Sequence, residues 1–452
     1  MKIILINTPA PFCDEPAMNP PLGLCLISAV LKVNGYTDIV GLDLKTYNRY
    51  NYYDNDDFLN EIPLNGDIYG ISMVSCELFW GKKIVKHIKK HSPNAKIVVG
   101  GPHANVEPIE VLSIPEVDMI VQGDGELAFL DIVNGKELSD IEGVSYKDKD
   151  VINLRPPTYI TNLDGLPIPD RDIFDINRYM RKLNDKKAIH ILTMRGCPFR
   201  CRFCAQGAEG KKVRLRSIEN VMQEIDYIIN KYGIKSFLIY DDTFTTNHKR
   251  VKLFCKEFRK RNIVWRCWSR TDTLTENLLV TMKNSGLSSM TFGIESGDDT
   301  ILQTIDKKTT VEKHKQALLL CKKLDIPMRI SLIYGLPGET KESLQKTIDF
   351  IKVTQPKEWF VFIFSPTCGS EFWNSPEKYG FWFDKQKVKN SDYIDTNFAG
   401  ESGMGKIWIK LNTMTQDEMT NNLNWFISEL DRVCPRHIVQ DTSQHILLNK
   451  VV

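Results

Sequence analysis

Short apolar runs alternate with amphipathic helical stretches along most of this chain, and that alternation restricts the fold more than any other feature. Parallel strands need a crossover between them, usually a helix. Repeated strand–helix units therefore predict parallel sheets covered by helices, an α/β class. Two such series occur. The first spans residues 1–140, with strand candidates at Lys2–Asn7, Asp38–Leu42, Ile68–Val74, Lys96–Val99 and Asp118–Val121. Helical periodicity runs over Leu22–Asn34, up to Gly35, and over Trp80–Lys90. Five strands suit a flavodoxin-like doubly wound domain, whose ligands lie at the carboxyl ends of the strands. Small residues mark those ends: Pro20-Pro21-Leu22-Gly23, Ser72 to Ser75, Gly100-Gly101-Pro102-His103 and Gly123-Asp124-Gly125-Glu126. They let a bulky ligand approach the backbone.

Residues 141–187 carry Pro156, Pro157, Pro167 and Pro169 among charges and predict an extended, stiff linker. A second series follows over residues 188–370. Its six strand candidates are Ile189–Met194, Ser236–Tyr240, Ile263–Trp268, Ser288–Ile294, Met328–Tyr334 and Trp359–Ser365, separated by helices such as Ile218–Lys231 and Val311–Leu324. This is a partial or full β/α barrel. Polar or glycine-rich clusters follow nearly every strand, and barrel active sites are built at that face. Residues 371–452 form an α-rich extension with many aromatics, among them Phe372, Trp373, Phe381, Trp382 and Phe383. These either cover the bottom of the barrel or shape a hydrophobic pocket.

Directly after the first barrel strand comes Cys197-Pro198-Phe199-Arg200-Cys201-Arg202-Phe203-Cys204. Thiolates are soft ligands suited to iron–sulfur clusters. Three cysteines on one loop leave one iron of a four-iron cluster open to a substrate, as catalytic metals require. The other readings of this spacing are a zinc site completed from elsewhere in the chain, or three unrelated core thiols. Eleven cysteines without an export signal read as reduced cytoplasmic thiols. The apolar start, Met1–Asn7, is too short for a secretory segment, and no uncharged run is long enough to span a bilayer. A formal net charge of +2 gives no global electrostatic argument for nucleic acid or anionic membrane, and nucleic acid is not expected as a partner.

The cysteine motif resembles the signature of the radical S-adenosylmethionine (radical SAM) superfamily over residues 188–370. The resemblance implies a 4Fe-4S cluster held by Cys197, Cys201 and Cys204. Its open iron would bind S-adenosylmethionine, whose reductive cleavage yields a 5′-deoxyadenosyl radical. It further implies that Phe203 touches adenine and that Arg270 pairs with the cofactor carboxylate. Glu295 and Ser296, in Gly293-Ile294-Glu295-Ser296, would contact the cofactor, and Gly335 and Leu336, in Gly335-Leu336-Pro337-Gly338-Glu339, would pack on adenine. For Arg270 and Glu295 a rim salt bridge is the alternative. Asp241 and Asp242 either position substrate or cap the next helix. Cys368, in Pro366-Thr367-Cys368-Gly369, either packs in its turn or presents a thiol at the catalytic face.

Ahead of such a barrel, the first domain resembles the cobalamin-binding domain of class B radical methyltransferases, and Leu166-Pro167-Ile168-Pro169-Asp170-Arg171 resembles their linker. This implies cobalamin contacts from Pro21, Leu22, Gly23, Ser72, Ser75, Cys76, Gly100, Gly101, His103, Gly123 and Glu126. The family's mechanism uses one S-adenosylmethionine to methylate cobalamin and another to make the radical. A flavodoxin- or ferredoxin-like donor supplies electrons. The loop after the first strand, Thr8 to Glu15, has no histidine to ligate cobalt. The lower face would instead meet Ser75, Cys76 and Glu77, with His103 contacting the nucleotide tail or making a structural hydrogen bond. Methylation of an unactivated carbon is the leading activity, and a non-methylating rearrangement or cyclisation is the alternative. The substrate, a small molecule, lipid or peptide, is not legible. Cys201→Ala is expected to abolish the visible absorbance of an anaerobically reconstituted cluster and all reductive cleavage of S-adenosylmethionine. Zinc in place of iron after reconstitution would contradict the cluster assignment.

Overall fold

The structure, a computed structural model, describes residues 1–11, 13, 17–47, 56–149, 151–205, 212–393 and 407–435. The chain divides into two compact units. One comprises Met1–Met180 and the segment that begins at Lys385; the other comprises Arg181–Asp384 and the residues from 407 onward.

In the first unit β1 (Ile3–Asn7), β2 (Ile39–Asp43), β3 (Ile68–Ser72), β4 (Lys96–Gly100) and β5 (Met119–Val121) form a parallel sheet in the order β2-β1-β3-β4-β5. This is the flavodoxin-like order. Every residue of β1 is buried, as a continuous apolar strand covered on both faces requires. Helices α1 (Leu22–Val33), α2 (Leu78–His91), α3 (Pro102–Val106), α4 (Pro108–Leu112) and α5 (Gly125–Val133) are interleaved with the strands. The strand order reverses between β1 and β3, so a crevice opens at their carboxyl ends.

The proline-rich stretch departs from expectation. Its first part forms β6 (Val144–Asp148) and β7 (Val151–Asn153), which extend the sheet antiparallel beyond β5. Leu163, Phe174 and Tyr179 are then buried, and Arg171 is fully enclosed. The Tyr179 hydroxyl donates to Asp43 Oδ2 at 2.8 Å. The stretch up to Met180 is thus part of the first unit. Its anchors are single residues at wide spacing, which leave no period in the sequence. Gly123 shows how close the packing is. Its φ is +89°, and a Cβ there would lie 2.1 Å from the Thr158 carbonyl oxygen, because Thr158 bonds to Gln122 and Asp124 on either side.

The second unit opens with a hairpin of β8 (Lys182–Leu183) and β9 (Lys186–Ile191), followed by a short ribbon, β10 (Met194–Arg195) and β11 (Arg214–Leu215). Then come α6 (Ile218–Tyr232), β12 (Ser236–Ile239), α7 (His248–Arg261), β13 (Val264–Ser269), α8 (Glu276–Lys283), β14 (Leu287–Glu295), α9 (Asp299–Thr304), α10 (Val311–Lys323), β15 (Met328–Tyr334), α11 (Lys341–Thr354) and β16 (Glu358–Ile363). Strands β9, β12, β13, β14, β15 and β16 pair in chain order, all parallel. Strand β9 ends beside β8 rather than β16, so the six units form an open partial barrel. The expected strands lie within a few residues of the observed ones.

The extension holds α12 (Glu371–Asn374), β17 (Phe381–Trp382), α13 (Lys385–Asn390), β18 (Lys410–Leu411) and α14 (Gln416–Val433). Its aromatics do not cover the barrel bottom. Phe372, Phe381 and Phe383 pack with one another and with Phe364, just past the carboxyl end of β16. Helix α14 starts beside Tyr334, whose hydroxyl donates to the Met419 carbonyl at 2.5 Å. It ends where the Trp359 indole reaches the Cys434 carbonyl. Among the described residues no helix is long and apolar enough to cross a membrane.

Gly123→Ala is expected to destabilise the first unit by about 1–3 kcal/mol or more, read from urea unfolding. Gly135→Ala carries the same left-handed strain (φ +74°) with no atom within 4 Å of the new Cβ, so it should cost distinctly less. Equal losses would mean that the approach of Thr158 contributes nothing.

Candidate active site at the strand ends

In the second unit the loop after β9 is anchored by one carboxylate. Asp241, at the end of β12, is buried. It accepts from the Thr193 amide (2.7 Å), the Thr193 hydroxyl (2.5 Å) and the Met194 amide (3.2 Å). Burial raises its pKa to about 6, against these donors. Asp241 therefore neither caps a helix nor faces open space; it ties two strand ends together just before the cysteines. Gly196 (φ +88°) lets the chain turn where a Cβ would meet the Lys212 carbonyl at 2.8 Å. Cys197 Sγ lies 3.5 Å from Thr243 Oγ1, and the Cys204 amide donates to the Cys201 carbonyl.

Two cations approach this loop. The Arg270 guanidinium stacks on Phe199 at 3.8 Å, and its Nη1 is 3.9 Å from Cys201 Sγ. Burial pushes the Cys201 thiol up, while Lys307 and Arg270 pull it down. Arg270 does not present a free fork, however. Asp272 takes Nε at 2.9 Å and Nη2 at 2.8 Å, and the Lys307 carbonyl takes Nη2 as well. Two of its nitrogens are thus held by a carboxylate of the chain, and Nη1 faces Cys201.

Lys307 is the cation that sequence reasoning missed. Its Nζ pairs with Glu295 Oε1 at 2.7 Å, both side chains are buried, and it stands 5.9 Å from the Phe203 ring. So the salt-bridge alternative for Glu295 is realised, but in the interior of the site. Glu295 has φ +65° at a register shift in β14. Gly293 makes room for it, since a Cβ there would sit 2.2 Å from Glu295 Oε1. Ser296 accepts the Asp298 amide at 3.2 Å. Leu336 is buried, and Gly335 (φ +85°) approaches Met419. Cys368 is buried in its turn.

The aromatic extension braces the same loop. The Phe372 amide donates to the Arg202 carbonyl at 3.1 Å, and the Arg202 guanidinium stands 5.1 Å over the Tyr379 ring. Among the described residues no three His, Cys, Asp or Glu side chains converge on one ion. A four-iron cluster makes no such demand, because each of its thiolates binds a different iron. One loop with three partly exposed thiols and cations beside it fits that group.

In the first unit the ends of β1, β2 and β3 meet in a buried polar network. Thr8 Oγ1 donates to Glu77 Oε2 (2.5 Å) and Lys45 Nζ pairs with Glu77 Oε1 (2.6 Å). The Asn7 amide donates to Asp43 Oδ1 (2.9 Å). Burial raises the Asp43 carboxyl. Burial also works against the charge on Lys45, but Glu77 and Asp43 outweigh it and hold the ammonium above its usual range. Glu77 therefore points inward, whereas Ser75 and Cys76 remain partly exposed. Burial and Glu77 push the Cys76 thiol far up.

His103 is fully buried. Its Nδ1 lies 3.0 Å from Ser75 Oγ, and the Tyr393 ring meets its edge at 5.2 Å. Burial lowers its pKa to about 3. Of the two roles expected for His103, this is the structural hydrogen bond. Ser72 Oγ lies 3.0 Å from the Cβ position of Gly101 (φ +93°), and the Gly123 amide donates to Asn105 Oδ1 at 2.7 Å. Pro21 precedes α1, Leu22 is buried, and at Gly23 no atom lies within 4 Å of a Cβ position, so the helix start is open. Gly100 has only the Val121 carbonyl near its Cβ position, and Glu126 is buried in the first turn of α5. An open helix start and small residues at the switch-point crevice fit a bulky ligand such as cobalamin. Phe12, Asp14 and Glu15 of the loop after β1 lie outside the described residues.

Family models match in the same places: the radical SAM superfamily at residues 191–351 and the B12 binding domain at residues 17–133. An uncharacterized methyltransferase of Pyrococcus horikoshii is 31% identical over 388 residues, 82% of this chain and 82% of its own. The chain belongs to the cobalamin-binding radical SAM family. Its cofactors are a 4Fe-4S cluster, S-adenosylmethionine and cobalamin, and it is an enzyme. The cytidylyl-2-hydroxyethylphosphonate methyltransferase of Streptomyces wedmorensis is 28% identical across 87% of this chain and 84% of its own. The anaerobic magnesium-protoporphyrin IX monomethyl ester cyclase of Rubrivivax gelatinosus is 29% identical across 75% of this chain and 62% of its own. The radical S-adenosylmethionine methyltransferase TsrM of Kitasatospora setae, with cobalamin and a 4Fe-4S cluster bound, shares the fold. Its TM-score is 0.72 at 16% identity, over 99% of this chain and 93% of that one.

Glu339 closes the turn after β15. It is buried, its Oε2 accepts the Gly335 amide at 2.6 Å, and burial raises its pKa to about 8. The native carboxyl keeps its proton where the unfolded one, near 4.5, has lost it. Its contribution to stability is complete below about 4.5 and is lost as pH rises through 8. Glu339→Gln should therefore remove a decline of at most about 1.4 kcal/mol per pH unit across that window. Urea unfolding of cluster-free protein at a series of pH values measures it. Parallel curves for wild type and variant would show that Glu339 ionises normally.

Proposed function

We propose that this enzyme transfers a methyl group to an unactivated carbon by radical chemistry. The observation that carries the reading is the three-cysteine loop, held at the carboxyl face of the partial barrel beside buried cations. It occurs in one chain with a cobalamin-type doubly wound unit, and relatives named as methyltransferases match along both. When bound, the cluster and S-adenosylmethionine supply a carbon-centred radical, and cobalamin carries the methyl group.

The chain's own residues bind and orient. Cys197, Cys201 and Cys204 hold the cluster. Phe203 flanks the adenine, and Gly335 and Leu336 give it an apolar wall. Lys307, rather than Arg270, offers its ammonium to the cofactor's carboxylate, with Glu295 and Ser296 placing the ribose. Arg270 braces the loop through Phe199 and Asp272. In the first unit Pro21, Leu22, Gly23, Ser72, Ser75, Gly100, Gly101, Gly123 and Glu126 line or support the cobalamin site, with Cys76 toward the lower face. His103 acts through Ser75 and does not ligate cobalt. A flavodoxin- or ferredoxin-like protein reduces the cluster, and the substrate is a small molecule, lipid or peptide.

A second reading, radical cyclisation or rearrangement without methyl transfer, is favoured by the likeness to the cyclase of Rubrivivax gelatinosus. One experiment separates the two. Reconstituted enzyme is turned over in cell extract with S-adenosylmethionine labelled on its methyl group, and products are followed by mass spectrometry. Labelled product formed together with 5′-deoxyadenosine is expected. Deoxyadenosine with an unlabelled new product would favour the cyclase-like reading, and no deoxyadenosine at all would refute both.

A further inference from the structure

The outward face of α7 is a strongly basic surface that the site described above does not absorb. Along it Lys249, Lys252, Lys256 and Arg259 are exposed, and Leu253, 54% exposed, lies among them. Lys249 and Lys256, four residues before and three after Leu253, flank it on the helix surface, and Lys252 directly precedes it. Among the described residues no ion pair reaches any of these four cations, whereas Arg261 on the same helix is held by Asp226 and Glu257. On α2, by comparison, Lys82, Lys83 and Lys89 pair with Asp392, Asp56 and Asp118, while Lys86 and Lys90 are exposed. Nor does the face reflect a general excess, since the whole chain has 59 basic and 57 acidic residues.

The inward side of the same helix is registered against the cysteine loop. The Arg250 guanidinium donates to the Thr193 carbonyl at 2.9 Å, and His248 Nε2 lies 2.6 Å from the Thr273 carbonyl. Asn247 caps the helix by accepting the Arg250 amide. The turn leading into it, Phe244–Thr246, follows Thr243, whose hydroxyl is 3.5 Å from Cys197 Sγ. From Thr243 to Lys249 the chain, coiled as a 3₁₀ turn and the start of a helix, spans on the order of 10 Å. Lys249 is therefore a short connection along the chain from the Thr243 contact with Cys197, and Lys252, Lys256 and Arg259 follow further along α7.

We propose that this face docks the electron donor, an acidic one-electron carrier protein of flavodoxin or ferredoxin type. The inference rests on the radical reading above. The donor gives one electron to the cluster and leaves oxidised by one, with no bond formed between the proteins. Unpaired cations attract an acidic carrier over distances that salt screens. The exposed Leu253 gives the contact an apolar centre, and the charged rim sets the encounter rate.

The test measures 5′-deoxyadenosine formation by reconstituted holoenzyme, driven by dithionite, by reduced flavodoxin or by reduced ferredoxin, at low and high salt. In the variant Lys249→Glu/Lys252→Glu/Lys256→Glu the rate at limiting protein donor should fall about tenfold or more at low salt, and its decline with added salt should disappear. The dithionite-driven rate should stay at the wild-type level, which also shows that the variant is folded and loaded. Lys90→Glu, on the exposed face of α2, should change nothing. Comparing the two carriers shows which of them the face accepts. A protein-donor rate unchanged in the triple variant overturns the proposal, as it would if the face bound nucleic acid instead. Wild-type enzyme that makes no deoxyadenosine with dithionite overturns the radical reading itself, and the two failures are thereby told apart.

Discussion

The position of the cysteine loop depends on a single buried carboxylate. Asp241 gathers two backbone amides and a hydroxyl from Thr193 and Met194, and so welds the end of the second barrel strand to the end of the first. A carboxylate out of water is tolerated only where donors replace its hydration. Here three do, and all of them belong to the chain that runs into Cys197. Two residues past Asp241, Thr243 touches Cys197 itself. The turn that follows starts α7, whose Arg250 returns to Thr193. Loop, strand end and helix are thus one hydrogen-bonded body. A reactive constellation needs that rigidity, because small misplacements of its parts are costly.

Three further carboxylate–cation pairs stand among the candidate site residues of the two units. Lys307 meets Glu295, Arg270 meets Asp272, and in the first unit Lys45 meets Glu77. Removing one member of such a pair typically costs about 3–5 kcal/mol, because the other stays buried and uncompensated. Glu295 carries left-handed backbone strain besides, of a kind that persists where surrounding structure enforces it. The bulge in β14 and the absent side chain of Gly293 provide that enforcement. The aromatic extension adds a second support, since Phe372 and Tyr379 reach Arg202 inside the cysteine loop.

Much of this was legible in the amino-acid order. Strand and helix periods located the parallel strands of both sheets within a few residues, because a parallel strand buried on both faces is a continuous apolar run. Gly101, Gly123 and Gly196 were visible as punctuation, and each adopts a positive φ that other residues avoid. The three cysteines were legible as a candidate cluster loop because local spacing alone brings those thiols together. The absence of histidine from the loop after β1 was equally plain.

What the sequence by itself determined, then, was the succession of elements, the face on which each loop emerges, and the candidate ligand motifs that are contiguous in the chain. Tertiary structure decided which charges meet. Lys307 reaches Glu295 from twelve residues away, Arg270 turns to Asp272, and Asp241 serves a strand that precedes it by 47 or 48 residues. It also decided that the proline-rich stretch belongs to the first sheet and that the aromatic tail folds back to the catalytic end. The physical reason is common to all of these. Periodicity records which side of an element is buried, but a lone buried charge or a single anchoring side chain has no period. Its partner is chosen only when the packed chain removes water from both.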